Sequence, residues 1–165
     1  MDLAFSAGRP VLDLLGTLSD RGGADVERLR TWEAVEAWAR AAGVRVDDLA
    51  GDDQDLERVR ALREALYRVV TARAAGTSPP VADLRAVNQA AAGAVLTPQL
   101  ETTGEVRWIG GLDGLLGSLA QDALDLLGSA DLQALRECDD PHCTRLFVDR
   151  SRGGRRRWCG MKGCG

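Results

Sequence analysis

Apolar side chains recur at helical spacing through most of the first 128 positions, and each run ends at a breaker. Val11, Leu14, Leu15 and Leu18 share one side of a short helix that Pro10 opens, where a missing N–H costs nothing. After a loop at Gly22-Gly23, the residues Trp32, Val35, Trp38, Ala39 and Ala42 fall on one broad face. They predict a helix over 32–42, capped by Thr31 and ended by Gly43, with both tryptophans in the core. The longest stripe is Leu56, Val59, Leu62, Leu66, Val69 and Val70, which predicts a helix from Asp52-Asp53 to residue 75. Pro79-Pro80 breaks the chain. Leu84, Val87, Ala91 and Val95 then mark a further inward face. LETTGEVRWIG reads as a hairpin about Thr103-Gly104, with Leu100, Val106 and Trp108 inward. A last helix over 112–127 leads through Ser129 and Asp131 to the C-terminal segment. The pattern predicts a mainly α (α+β) fold. A helical N-terminal domain with a small β-hairpin covers 1–135, and a small cysteine-bearing unit covers 136–165.

Two polar residues interrupt these stripes. Arg63 stands amid the apolar face of the long helix, and Asn88 flanks the next one. A charge on an apolar face must be paired or must reach water. One reading is structural: Arg63 snorkels, or forms a salt bridge with Asp13. The other is a small-molecule pocket lined by Asp13, Thr17, Arg63 and Asn88, with Arg63 facing an anionic ligand. The structural reading is the simpler one, since buried ion pairs are common without function.

Composition narrows the classes. Apolar residues make up 45% of the 165, enough for a core, but aromatics only 4%, so Leu, Val and Ala must build it. No apolar run approaches a membrane span, which predicts a soluble, cytoplasmic protein without a membrane partner. The net charge of −4 hides an asymmetry: residues 138–165 hold seven of the 21 basic and three of the 25 acidic side chains. An acidic body with a basic tail points to a partner that is anionic at one end.

All four cysteines lie in that tail, as Cys138-DDPH-Cys143 and Cys159-GMKG-Cys164. Two close pairs separated by a segment that folds back fit a single structural Zn²⁺ held by four thiolates, Cys138, Cys143, Cys159 and Cys164. The rival is two disulfides, but MDLAFSAGRPVLDLLG has neither a basic n-region nor a long apolar run, and cytosolic thiols stay reduced. His142 adjoins Cys143 too closely to share one ion with it and reads as a loop residue. Four thiolates and one Zn²⁺ sum to −2, so the metal-loaded tail is only mildly basic. Between the pairs lies TRLFVDRSRGGRRRW: a strand signal at Leu146–Val148, a turn at Gly153-Gly154, then three arginines and Trp158. It predicts a zinc-clamped hairpin, treble-clef-like or ribbon-like, with arginines on and beyond its turn.

The run Cys138…Cys143-TRLFVDRSRGGRRRWCGMKGCG resembles the CGNR zinc finger of bacterial proteins, C-x4-C-x2-LF-x-DRSRNGRRRWC-x4-CGNR. Gly153 stands where that family has Asn. The sequence matches through Cys164-Gly165 and lacks the Asn and Arg of the family name and the basic helix that follows, so a finger cut within its motif is expected. The family joins this finger to an N-terminal ABATE domain of stress-induced transcription regulators. GRPVLDLLGTLSDR and ERLRTWEAVEAWARAAGV resemble its opening LDFVNT segment and its second helix, with Gly16 in place of the Asn.

The resemblance implies a transcription regulator whose finger binds DNA and whose N-terminal domain senses a small-molecule effector or a partner, with a homodimer left open. Arg150, Arg152, Arg155, Arg156, Arg157 and Lys162 are the candidate phosphate contacts, since the guanidinium fork suits phosphate oxygens. The alternative is a protein-interaction module with a purely structural zinc. An enzyme is disfavoured. Four cysteines close the zinc shell, the chain has a single histidine, and no P-loop, G-x-S-x-G or G-x-G-x-x-G occurs.

Overall fold

The computed structural model describes residues 5–44, 46, 48–160 and 164. Its elements in chain order are α1 (Pro10–Leu15), β1 (Leu18–Ser19), β2 (Val26–Glu27), α2 (Trp32–Ala41), α3 (Asp53–Ala74), α4 (Val81–Ala91), β3 (Thr97–Leu100), β4 (Val106–Ile109), α5 (Gly111–Gly128), a 3-10 turn (Ala130–Leu132), β5 (Leu135–Glu137) and β6 (Leu146–Val148). The strands form three separate antiparallel two-stranded ribbons, β1–β2, β3–β4 and β5–β6.

The long stripe behaves as its period demands. Leu56, Val59, Leu62, Leu66, Val69 and Val70 of α3 are all buried. Each such side chain is worth roughly 1.5–3 kcal/mol when fully taken from water. Asp52 starts α3 with a capping box, accepting from the Gln54 and Asp55 N–H groups while the Asp55 carboxylate accepts from its own N–H. Trp32 and Trp38 are core residues of α2. Helix α5 packs on α1, α3 and α4. The approach of the chain after α4 is close enough to require glycine: a Cβ at Gly117 would stand 2.0 Å from the Ala94 carbonyl oxygen.

Four expectations change. In the β3–β4 ribbon, Leu100 and Val106 pair at the turn end and are 76% and 51% exposed; of the three residues expected inward, only Trp108 is half-buried. Alternation says which residues share a face, not whether anything covers it. Val95 lies beyond the end of α4 and is exposed, while Leu96 is buried in its place. Leu18, expected on the helical face of α1, lies in β1 opposite Glu27, and on α4 Asp83 is buried beside Val87, its carboxylate bridged by Nε and Nη2 of Arg68 at 2.7 Å. The fourth change concerns the cysteine-bearing segment. Gly153 and Gly154 do make a turn, with φ of +86° and +62°. The partner of β6, however, is β5, so the β-hairpin spans the first cysteine pair rather than Gly153-Gly154. The Asp149 carboxylate explains this. It accepts from the Ser151 and Arg156 N–H groups at 2.8 and 3.0 Å, folding the segment after β6 into a compact loop instead of a strand.

Candidate metal centre and the arginine loop

Strands β5 and β6 bring Cys138 and Cys143 together at the turn of their ribbon, and the loop after β6 returns Cys159 to them. Asp139 N–H donates to the Arg157 carbonyl at 2.9 Å, and Cys159 N–H to the Cys138 sulfur at 3.4 Å, so backbone bonds tie the two halves. The sulfurs of Cys138, Cys143, Cys159 and Cys164 all lie within 4.8 Å of one another. Cys143–Cys159 and Cys159–Cys164 are separated by 3.7 and 3.8 Å. A tetrahedron with Zn–S bonds near 2.3 Å has an edge of about 3.8 Å, whereas a disulfide needs about 2.05 Å. The donor set therefore fits one Zn²⁺, and the disulfide alternative fails on distance.

Without a cation the cluster is electrostatically frustrated. The hydrogen bond from Cys143, aided by those from Cys164 and Cys138, holds the Cys159 thiol down to about 5. The same bond, seen from Cys143, pushes that thiol upward, and burial pushes Cys164 to about 12. Cys159 takes the charge, while Cys143 and Cys164 hold their protons more tightly. A divalent cation removes that competition, which is why four clustered thiols suit zinc.

The six cationic residues expected to face phosphate do not behave alike. Arg152, Arg155 and Arg157 are exposed on the loop, and Arg150 is exposed with one bond to Asp131 at 2.9 Å. Arg157 also bonds Asp139 at 2.6 Å and lies 5.1 Å from the centre of the Trp158 ring. Arg156 is a correction. Its guanidinium lies 4.2 Å over the Phe147 ring and donates to the carbonyls of Ser6 and Trp158 at 2.9 Å, and to that of Cys159. Three of its five N–H donors go to backbone carbonyls, so Arg156 is first a brace of the fold rather than a free phosphate contact. Lys162 lies outside the described residues.

The second candidate site is divided. Arg63 is 2% exposed and donates to Thr17 Oγ1 at 3.0 Å, which brings those two residues together. Its charge partner is Glu27 on β2, at 2.8 and 2.6 Å, with Glu64 at 2.8 Å; the pairing with Asp13 is replaced. Asp13 instead accepts from the Ala7 N–H at 3.1 Å, and Asn88 is exposed on α4. The structural reading of Arg63 holds, because carboxylates already occupy its fork. Burial is the largest single influence and works against the ionised Glu27, but the hydrogen bond and charge of Arg63, the Leu29 N–H and the charge of Arg60 together outweigh it and leave the carboxyl below its usual range. Glu64 follows the same pattern through Arg21.

Glu27, Glu64 and Arg21 went unread in the sequence. Arg21 grips Glu64 with two bonds at 3.0 and 3.1 Å, stacks 3.8 Å over Tyr67, and donates its backbone N–H to Oγ1 of the finger's Thr144 at 3.2 Å. The one available signal was an odd count: a buried arginine needs a carboxylate, and Glu64 stands next to it.

The body and the cysteine unit share one core. Phe147 and Val148 are buried with the α1 residues, Val148 N–H donates to the Ala7 carbonyl at 2.9 Å, and β6 contacts α1. Among the described residues, no helix is long and apolar enough to cross a membrane. Two family models match the chain. Residues 8–130 match ABATE, described as "Putative stress-induced transcription regulator", and residues 134–165 match the CGNR zinc finger. No curated protein matches it significantly.

Proposed function

The chain belongs to the ABATE family and carries a CGNR zinc finger, and from that premise we propose that it regulates transcription by binding DNA through the arginine loop of the finger. Both family descriptions and the cysteine cluster support a zinc-finger regulator rather than an enzyme. The observation that carries the DNA reading is the loop itself. The Asp149 carboxylate and the metal-ligand cluster brace it, and Arg152, Arg155 and Arg157 project from it into solvent. A braced loop holding guanidinium groups pays little ordering entropy when phosphate arrives, and the fork matches phosphate oxygens. These contacts position a protein on a duplex; they do not read bases.

The test is a titration of a mixed-sequence DNA duplex at several salt concentrations. Phosphate contacts give a log–log salt slope of about −0.9 each. With the chain as it stands, two to four contacts predict a slope of about −2 to −4. The Arg152/Arg155/Arg157→Ala triple variant should lower both affinity and slope, while keeping its metal. Binding that is absent, or independent of salt, would leave the finger as a protein-interaction module. The N-terminal domain is then the sensing part of the molecule, responding to a small molecule or a partner.

A further inference from the structure

The helical body holds an apolar cavity of about 260 Å³. Its wall is Pro10 of α1, Val44 after α2, Leu96, Trp108 of β4, and Leu115 and Leu119 of α5. Leu115 and Leu119 are one helical turn apart and otherwise buried. Trp108 is the one residue of the β3–β4 ribbon singled out as inward that is covered, and this cavity is where it is covered. It opens to solvent on one side, and a mostly apolar concavity with few polar groups in its wall is the usual form of a small-molecule site. An apolar cavity of roughly 150 Å³ accepts benzene. This one has room for a substituted ring or two fused rings.

Two polar residues in the wall set the ligand chemistry. Asp122 has both oxygens engaged: Oδ1 accepts from Nε and Nη2 of Arg9 at 2.9 and 2.8 Å, and Oδ2 from the Val11 N–H at 2.9 Å. Three donors take up its oxygens, so it offers a ligand little direct contact, and with Arg9 shared among Asp122, Asp125 and Asp131 this wall does not welcome an anion. Ser118 accepts from the Leu96 N–H at 2.9 Å, which leaves its hydroxyl hydrogen to donate. We infer that the cavity between α1, α5 and the β3–β4 ribbon binds a small, uncharged, mostly apolar ring compound carrying one hydrogen-bond acceptor, and that it is the effector site of the regulator.

The site differs from the Arg63 region, whose charges are already paired. It is also wired to the finger. Arg9, which holds Asp122, donates to Asp131 at 2.8 Å, and Asp131 accepts from Arg150 of the arginine loop at 2.9 Å. An occupant that moves α5 against α1 alters the Asp122–Arg9 pair and is felt at Arg150. The effector role rests on the regulator reading; the binding itself does not.

The experiment therefore uses the zinc-loaded chain without DNA. Acetophenone, a ring with one acceptor, is compared with isopropylbenzene, its apolar counterpart of like shape, by methyl and indole NMR. Both should shift the Leu96, Leu115, Leu119 and Trp108 signals saturably, acetophenone binding several-fold more tightly. Ser118→Ala should erase that preference. Val44→Phe, which fills the cavity at a half-buried position, should abolish binding of both. Leu119→Phe fills it from the opposite wall and serves if the first variant folds poorly. Absence of saturable shifts, or shifts that survive both filling variants, overturns the proposal. An equal affinity for the two probes overturns the acceptor assignment. Because DNA is absent, failure here leaves the DNA reading standing, and a failed DNA titration leaves this result untouched.

Discussion

The helical body and the finger share a core, yet different forces hold them. In the body, α3 and α5 place fourteen apolar side chains inward, and local pattern and tertiary packing agree. In the finger, β5 and β6 are three residues each, and the return from Gly153 to Cys159 has no regular structure. Phe147 and Val148 anchor it to α1, but four sulfurs and the bonds of Asp149 and Arg156 fix its shape. The body would survive many conservative exchanges. The finger depends on a few atoms that have no substitutes. The same contrast separates two kinds of arginine. Arg63 and Arg156 are bonded within the fold, whereas Arg152 and Arg155 are exposed.

The comparison breaks most sharply at the cysteines. Cys159→Ser should strip the metal and unfold the finger, since structural zinc supplies roughly 10–16 kcal/mol of apparent binding energy to small fingers. Metal analysis should fall from one Zn²⁺ per chain toward zero, while the helical circular-dichroism signal largely remains. Gly117→Ala is the matching wound to the body. Its Cβ meets a backbone carbonyl that cannot swing away, so a loss of about 3 kcal/mol is expected. Thermal unfolding should then begin earlier by roughly 6–12 °C, with metal content unchanged at low temperature.

Smaller effects sharpen the division among arginines. Arg156→Met removes three donors to backbone carbonyls and should cost about 1.5–3 kcal/mol within the finger. Arg152→Ala should change stability by less than about 0.5 kcal/mol and act only on DNA affinity. Urea unfolding of the two variants, beside the duplex titration, separates them.

A further modest effect is a pH dependence in the body. Burial raises the Asp13 carboxyl to about 6, with Asp122 adding to the shift against the opposing bond from Ala7. A carboxyl raised on folding binds its proton more tightly in the native state, so stability is greatest below the unfolded value. It declines as pH rises from about 4 to 6. Asp13→Asn should remove that decline and stabilise the protein at neutral pH by about 1 kcal/mol, allowing for partial exposure. Stability curves at pH 4 and 7 check it. Glu27 and Glu64, both depressed by arginine partners, act with the opposite sign and are retained in this variant.

What could be read in advance follows the same line. The stripes of α2 and α3 and the extent of α5 were legible because long helices repeat their period several times, and the cysteine spacing because metal geometry leaves few alternatives. The β1–β2 ribbon was not, since two-residue strands carry no period; it is the element that delivers Glu27 to Arg63. The exposure of Leu100 and Val106 was hidden because alternation marks a face without naming its cover. Arg156 was indistinguishable from Arg155 and Arg157 in a run of three. Only the fold shows that it stacks on Phe147. The cavity left no linear signature either, because its wall draws on residues from Pro10 to Asp122.

The central claim is that a metal-held finger is packed on a self-sufficient helical body. Amide hydrogen exchange before and after metal removal by a thiol-reactive reagent tests it most directly. The account predicts that amides of residues 135–160 lose protection, Val148 among them although its partner is the Ala7 carbonyl of the body, while the α3 and α5 amides keep theirs. Finger amides that remain protected without metal, or α3 amides that lose protection with them, would contradict it.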